Sequence, residues 1–330
     1  MEKVTNIVSL IFSSFLLSLV IGYFMIKLLA KFHANQSLSV YLKDKHKNKS
    51  KTPTMGGLIF EITLFIIIFL LYIFNKIVIS YNLIIILFTY LGYSLIGFID
   101  DYLIIKKKNN KGLSESSKML LQLIIAVIFF YLFLSASNEP LLWIHTLNIK
   151  INLSWYYGIF ILFVLVASSN AVNITDGLDG LASGLSLIAY LTFGIITYNT
   201  SWLLGYKEIA YVCFIIAGSL LGFLVYNINP AKIFMGDTGS LALGATLSAV
   251  AILTRHELLL VLIGIVFVIE TMTCIIQRIY YKFTKKRIFL MTPIHHSFEK
   301  KGYKETDIVN LFWLLGIIAS MIALTFGVLL

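Results

Sequence analysis

The chain has 330 residues, 59% of them hydrophobic and 13% charged, roughly half the charged fraction of a soluble domain, which is about 25%. Apolar runs long enough to cross a membrane recur along the whole length, which excludes a soluble protein and leaves residues 1–330 as a single integral membrane domain. The formal net charge of +10 raises the question of nucleic acid, but the placement of the basic residues, given below, excludes it as a partner.

The first apolar run, Ile7 to Ile26, is too long for a signal-peptide core and lacks a small-x-small cleavage site, so 4–29 reads as a retained span. Further spans are predicted at 57–75, 81–99, 119–136, 155–171, 181–199, 208–226, 239–254, 257–281 and 306–329. Each is close to the 20 or so residues that cross a hydrocarbon core of about 30 Å. None shows the period-two alternation of a barrel strand, so the fold class is an all-α polytopic membrane protein with about ten transmembrane helices. Cys213 and Cys274 fall inside spans and read as small buried hydrophobes. The ninth run, followed to Lys286, is longer than one straight span needs, and a kink is expected near Gln277 and Arg278. In the connection 137–154, Leu147, Ile149, Ile151 and Leu153 alternate with Asn148, Lys150 and Asn152, one arm of a short surface β-hairpin.

Lysine and arginine set the orientation. They cluster in the connections 30–56, 100–118 and 282–305, while the alternate connections carry one each, Lys76, Lys150, Lys207 and Arg255. The basic set belongs in the cytoplasm, with both termini outside. Every polar motif falls on that same inner side. Lys49 to Gly57 sets lysines, hydroxyls (Thr54 among them) and a glycine pair before a helix start, an arrangement suited to phosphate. Asp100 and Asp101 end a wholly apolar span, where adjacent acids point to metal–phosphate binding or proton handling, and Lys118 closes the basic connection that follows.

Asn170 to Gly180 places Asn173, Asp176 and Asp179 three apart, on one face if the segment is helical. In Asn227 to Ser240, Asp237 lies close between Gly236 and Gly239 at a span start, the setting for a Mg²⁺ ligand beside a pyrophosphate, and Phe234 stands ready to stack on a base. His295 and His296 are adjacent in the last inner loop, a spacing better suited to phosphate, sugar or proton contact than to a shared metal. Together these residues describe a diphosphate-containing soluble substrate meeting a membrane-borne acceptor. Glu61 and Glu270, well inside spans, read as helix-packing or cleft-lining acids.

On Thr52–Gly57, Gly97–Tyr102, Asn170–Gly180, Asn227–Ser240, Phe267–Thr271 and Arg287–Glu299, in that order, the chain closely resembles the phospho-N-acetylmuramoyl-pentapeptide transferase family (translocase MraY) of the polyprenyl-phosphate N-acetylhexosamine-1-phosphate transferases. The resemblance implies ten helices, a cytoplasmic cleft, a homodimer in the bacterial plasma membrane and a Mg²⁺-dependent reaction. Phospho-MurNAc-pentapeptide passes from UDP-MurNAc-pentapeptide to undecaprenyl phosphate, giving lipid I and UMP. It implies a metal aspartate at Asp237 and an essential acid pair at Asp100 and Asp101. Donor contacts are implied at Lys49, Thr54, Asn173, Asp176, Asp179, Asn227 and Phe234, and the family's histidines at His295 and His296. The family often has a third consecutive histidine where this chain has Ser297, and the lysine-rich Asp44–Ser50 lacks the usual Gly-Pro before His46. Two displacement chemistries are open, direct attack by the acceptor phosphate or a covalent aspartyl intermediate. The competing readings are a UDP-GlcNAc:undecaprenyl-phosphate GlcNAc-1-phosphate transferase and, in another class, a transporter of lipid-linked sugars.

Overall fold

The computed structural model describes residues 2–32, 52–107, 112–200, 203 and 205–329. Its helices are α1 (Glu2–Lys31), α2 (Gly57–Ile73), α3 (Tyr81–Lys107), α4 (Glu115–Ser135), α5 (Tyr156–Thr175), α6 (Leu181–Asn199), α7 (Tyr206–Asn227), α8 (Gly236–Leu253), α9 (Glu257–Ile263), α10 (Ile265–Thr284), α11 (Ile294–Lys300) and α12 (Glu305–Leu324). Among the described residues eight helices are long and apolar enough to span a membrane, and α9 with α10 makes a ninth, broken span bent by 81°. Helix α2, with 17 residues, is a shorter apolar helix. All ten predicted runs thus fall on helix. The predicted kink is displaced: α10 runs unbroken through Gln277, and the bend sits at Gly264. Gln277 instead accepts the backbone N–H groups of Ile288 and Phe289, both at 3.0 Å, and so ties down the loop that follows the helix.

Helix α8 is the hub. Sixteen of its residues, Thr238 to Leu253, are buried, and small side chains let other helices come within backbone contact. A Cβ on Gly97 of α3 would lie 2.1 Å from the Asp237 carbonyl oxygen, and one on Gly57 at the start of α2 would lie 2.3 Å from the Gly239 nitrogen. Helix α5 meets the far side, where a Cβ on Gly244 would be 2.3 Å from the Ser168 carbonyl. These approaches bring the start of α2 and of α8 together with the C-terminal parts of α3 and α5. Glu61 joins this packing, accepting the Ser94 hydroxyl at 2.6 Å between α2 and α3.

At the other end, β1 (Leu141–Ile144) and β2 (Ile149–Asn152) pair antiparallel, Leu141 opposite Asn152 and Ile144 opposite Ile149. The predicted arm is therefore present at Ile149 to Asn152, while Leu153 lies just past the strand and Leu147 lies in the 3₁₀ turn, which Asn148 closes in the left-handed conformation. Arg255 joins the hairpin to the bundle, its guanidinium donating to the Leu141 carbonyl at 3.1 Å and to the Tyr157 hydroxyl at 3.2 Å.

Candidate active site

The site begins where α8 starts. Gly236 has a φ of +74°, and a Cβ there would meet the Asp101 carboxylate at 2.5 Å and the Thr54 hydroxyl at 2.8 Å, so only glycine fits this turn. The orphan N–H groups of the helix need acceptors. Asp101 supplies them from α3. Its carboxylate accepts the N–H of Asp237 at 3.1 Å, the N–H of Thr238 at 3.0 Å and the Thr238 hydroxyl at 2.6 Å. Asp101 is thus a cap in trans, 4% exposed, and it fixes Asp237. Both acids of the pair lie inside α3, which continues to Lys107, rather than at its end as the sequence suggests.

Asp237 is more open. Its Oδ1 accepts the Asn173 amide at 2.7 Å, and Asn173 also donates to Ser240 at 2.9 Å. Its Oδ2 accepts Lys118 Nζ at 2.5 Å, and the same ammonium stands 3.3 Å from Asp100 Oδ1. Asp100 further accepts the Leu113 N–H at 2.8 Å, which anchors the entry to α4, where Ser114 caps the helix by accepting the Ser117 N–H at 3.0 Å. The Lys118 and Asp237 side chains keep 20% and 22% of their surface accessible, against 5% for Asp100. Of these three side chains, Lys118 and Asp237 are the more open.

Helix α5 ends at Thr175, so Asn173, Asp176 and Asp179 do not share a helical face: Asn173 is on the helix, Asp176 caps it, and Asp179 follows in a turn. The Asp176 carboxyl is pushed up to about 8, first by burial and then by the charges of Asp237, Asp101 and Asp179. Among the described residues no three His, Cys, Asp or Glu side chains form a ready metal cage.

Asp179 Oδ2 accepts the Ala231 N–H and the Asn229 amide, each at 3.1 Å. Asn227 is 2% exposed and internally committed, donating to the Ile233 carbonyl at 2.9 Å and accepting the Ser183 hydroxyl at 2.6 Å. The loop that follows is stitched to the segment before α2. Phe234 N–H donates to Pro53 O and Gly56 N–H to Phe234 O, both at 2.8 Å, which sets Thr54 and the half-buried Phe234 side by side. Lys49 lies outside the described residues.

The histidines sit on α11. His295 is fully buried, its Nδ1 3.1 Å from Glu270 Oε2 of α10. Its ring abuts the turn that follows α5 closely: a Cβ on Gly177 would be 2.4 Å from His295 Nε2. His296 Nδ1 is 2.6 Å from Glu299. Burial holds its imidazole below the usual histidine range, against the opposing pull of Glu299. Ser297 binds the Met291 carbonyl at 2.5 Å and accepts the Met291 N–H at 3.1 Å. The structure thus gathers Thr54, Asp100, Asp101, Lys118, Asn173, Asp176 and Asp237 at one end of the helix bundle. It lays His295 against the same turn.

The chain as a whole has relatives of known name. A sequence profile described as "Glycosyl transferase family 4" matches residues 83–255, and one described as "Phospho-N-acetylmuramoyl-pentapeptide-transferase signature 1" matches residues 49–60. The phospho-N-acetylmuramoyl-pentapeptide-transferase of Staphylococcus carnosus is 45% identical over 323 residues, covering 96% of this chain and 97% of that relative. The chain belongs to the phospho-N-acetylmuramoyl-pentapeptide-transferase family. Similar relatives occur in Staphylococcus aureus, 45% identical over 97% of this chain and 100% of the relative, and in Staphylococcus haemolyticus, 46% over 95% and 97%. Within this transferase, sequence reading passes over Glu305, which accepts the Asp179 N–H at 2.7 Å. An acid in the first turn of a helix is an ordinary complement to the helix dipole, so nothing local singles it out. Ser240, on Asn173, is passed over in the same way.

Proposed function

We propose that this transferase moves phospho-MurNAc-pentapeptide from UDP-MurNAc-pentapeptide to undecaprenyl phosphate, releasing UMP and forming lipid I for peptidoglycan synthesis. The observation that carries the reading is the accessible Lys118–Asp237 pair set on Asn173 and Asp100, in a chain 45% identical over nearly its whole length to proteins of that name.

The active-site end faces the cytoplasm, both termini lie outside, α2 counts as the tenth span, and the protein works as a homodimer in the plasma membrane. The charge clusters support the orientation, and the family resemblance supports the dimer. The acceptor phosphate, whose second pKa lies near 6, is largely ionised at neutral pH, so a strong general base is unnecessary. Its oxygen attacks the sugar-side phosphorus directly and UMP leaves. Lys118 Nζ offers positive charge to the phosphates, Asp100 restrains Lys118, and Asp101 positions Asp237 through the start of α8. Asn173 orients Asp237, while Asp176, Asp179 and Phe234 read the uridine diphosphate sugar. Asp237 would hold Mg²⁺, with Asp176 beside it, and the chemistry such an ion would supply there is neutralisation of diphosphate charge. His295, held by Glu270, packs the turn that carries Asp176.

The test is UMP release by detergent-solubilised protein given undecaprenyl phosphate and either UDP-MurNAc-pentapeptide or UDP-GlcNAc. Release from the first donor alone is expected, without any vesicle gradient. Release from UDP-GlcNAc alone would favour the simpler transferase, and a labelled phosphosugar aspartate formed without acceptor would replace direct attack by double displacement.

A further inference from the structure

We propose that the last membrane helix belongs to the donor-binding apparatus, with Glu305 a positioning residue that locks the Asp176–Gly180 turn to the Asn229–Ala231 loop around the uridine diphosphate sugar. This rests on the reading of that turn as the donor-reading element.

Glu305 begins α12, far in sequence from both loops, yet it touches each. Its Oε1 accepts the Asp179 N–H at 2.7 Å and its Oε2 accepts the Asn229 amide at 3.1 Å. The same Asn229 nitrogen donates to Asp179 Oδ2 at 3.1 Å. An amide nitrogen carries two hydrogens, one for each carboxylate, so Asp179, Asn229 and Glu305 close a ring. The shared amide separates two carboxylates that would otherwise repel. The ring also fixes which way the Asn229 amide faces, since its nitrogen must point inward.

A second contact comes from the same helix. Trp313 lies eight residues on, close to the face of Glu305. Its Nε1 donates to the Gly180 carbonyl at 3.2 Å, and the indole fills the space over Gly184, where a Cβ would be 2.1 Å from the ring. Glu305 holds the turn at Asp179 and Trp313 holds it at Gly180, immediately before α6 begins. The chemistry demands a carboxylate at position 305. Glutamine has one acceptor for two donors, and its own amide would face either the Asp179 N–H or the Asn229 amide.

The experiment uses the full-length protein in detergent with Mg²⁺, UDP-MurNAc-pentapeptide and undecaprenyl phosphate, reading UMP release and thermal stability. Glu305→Gln is expected to raise the donor KM about tenfold, the worth of a hydrogen bond to a charged group. Its kcat and acceptor KM are expected to stay near those of the parent protein, with Tm lowered by only a few degrees. Trp313→Phe keeps the ring and loses only the N–H, and is expected to raise the donor KM about fivefold. An unchanged donor KM in Glu305→Gln overturns the proposal, and so does a parallel shift of both KM values and Tm, which marks a general packing contact. Asp179→Asn in the same assay separates the two readings. If it raises the donor KM and Glu305→Gln does not, the lock alone fails. If neither does, the turn is not the donor-reading element.

Discussion

Asp237 is held by three different neighbours, and each has its own task. Asn173 and Lys118 bind its two oxygens, while Asp101 accepts its backbone N–H. Asp237→Ala is expected to cut UMP release by at least about a hundredfold, since even residues behind a metal's ligands are worth about 10–100-fold. Full activity with Mg²⁺ dependence intact in that variant would remove Asp237 from the metal role. Asp101→Ala is a different lesion. It strips the acceptors from the start of α8, and a loss of about 1–3 kcal/mol of stability is expected with the fall in activity, readable as a lowered Tm.

Asp176 makes stability depend on pH. Its folded pKa of about 8 stands above the ordinary 3.8, so the folded state holds the proton more tightly than the unfolded one. Stability contributed by this group is greatest below the ordinary value and falls as pH rises through the window from about 4 to 8. Thermal melts across that window are expected to slope downward without added Mg²⁺ and to flatten with it. A slope left intact by Asp176→Asn would locate the effect elsewhere.

Among the elements, α8 decides the geometry because its small residues admit three other helices. Gly97 on α3 has no room for a methyl group against the Asp237 carbonyl. Gly97→Ala is expected to force α3 away from α8, costing about 1–3 kcal/mol and moving Asp100 and Asp101 off Asp237. Activity is then expected to fall further than the change in Tm alone explains, and a fully active Gly97→Ala protein would deny the importance of that contact. The break at Gly264 has a separate consequence. It turns α10 by 81° relative to α9 and so carries Glu270 to His295, a pairing that a straight ninth span would not make.

For the whole molecule, the site and the β-hairpin stand at opposite ends of the bundle, so orientation is a testable property. In a cysteine-free background, Asn138→Cys is expected to react with a membrane-impermeant maleimide on intact cells, and Tyr303→Cys only after permeabilisation. The reverse pattern would put the active-site end outside. Exposed apolar side chains on α1 and α12, such as Phe12, Phe24, Leu314 and Met321, meet lipid under the spanning reading.

The apolar spans and the gathering of polar motifs at one end of the bundle were legible in the sequence, because the hydrocarbon core demands long apolar runs and the polar motifs fall in alternate connections between them. The hairpin arm showed through its alternation, and the carboxylates showed as costly charges beside apolar runs. What the chain in one dimension does not carry is which acceptor meets which donor between one helix and another. Asp100 and Asp101 are adjacent and alike as text, yet one side chain meets Lys118 and the other caps α8. Successive residues on a helix point about 100° apart, and only the packing of α3 on α8 gives each direction a meaning. The same holds for Glu305, an unremarked first-turn acid until α12 lies against the turn of Asp179.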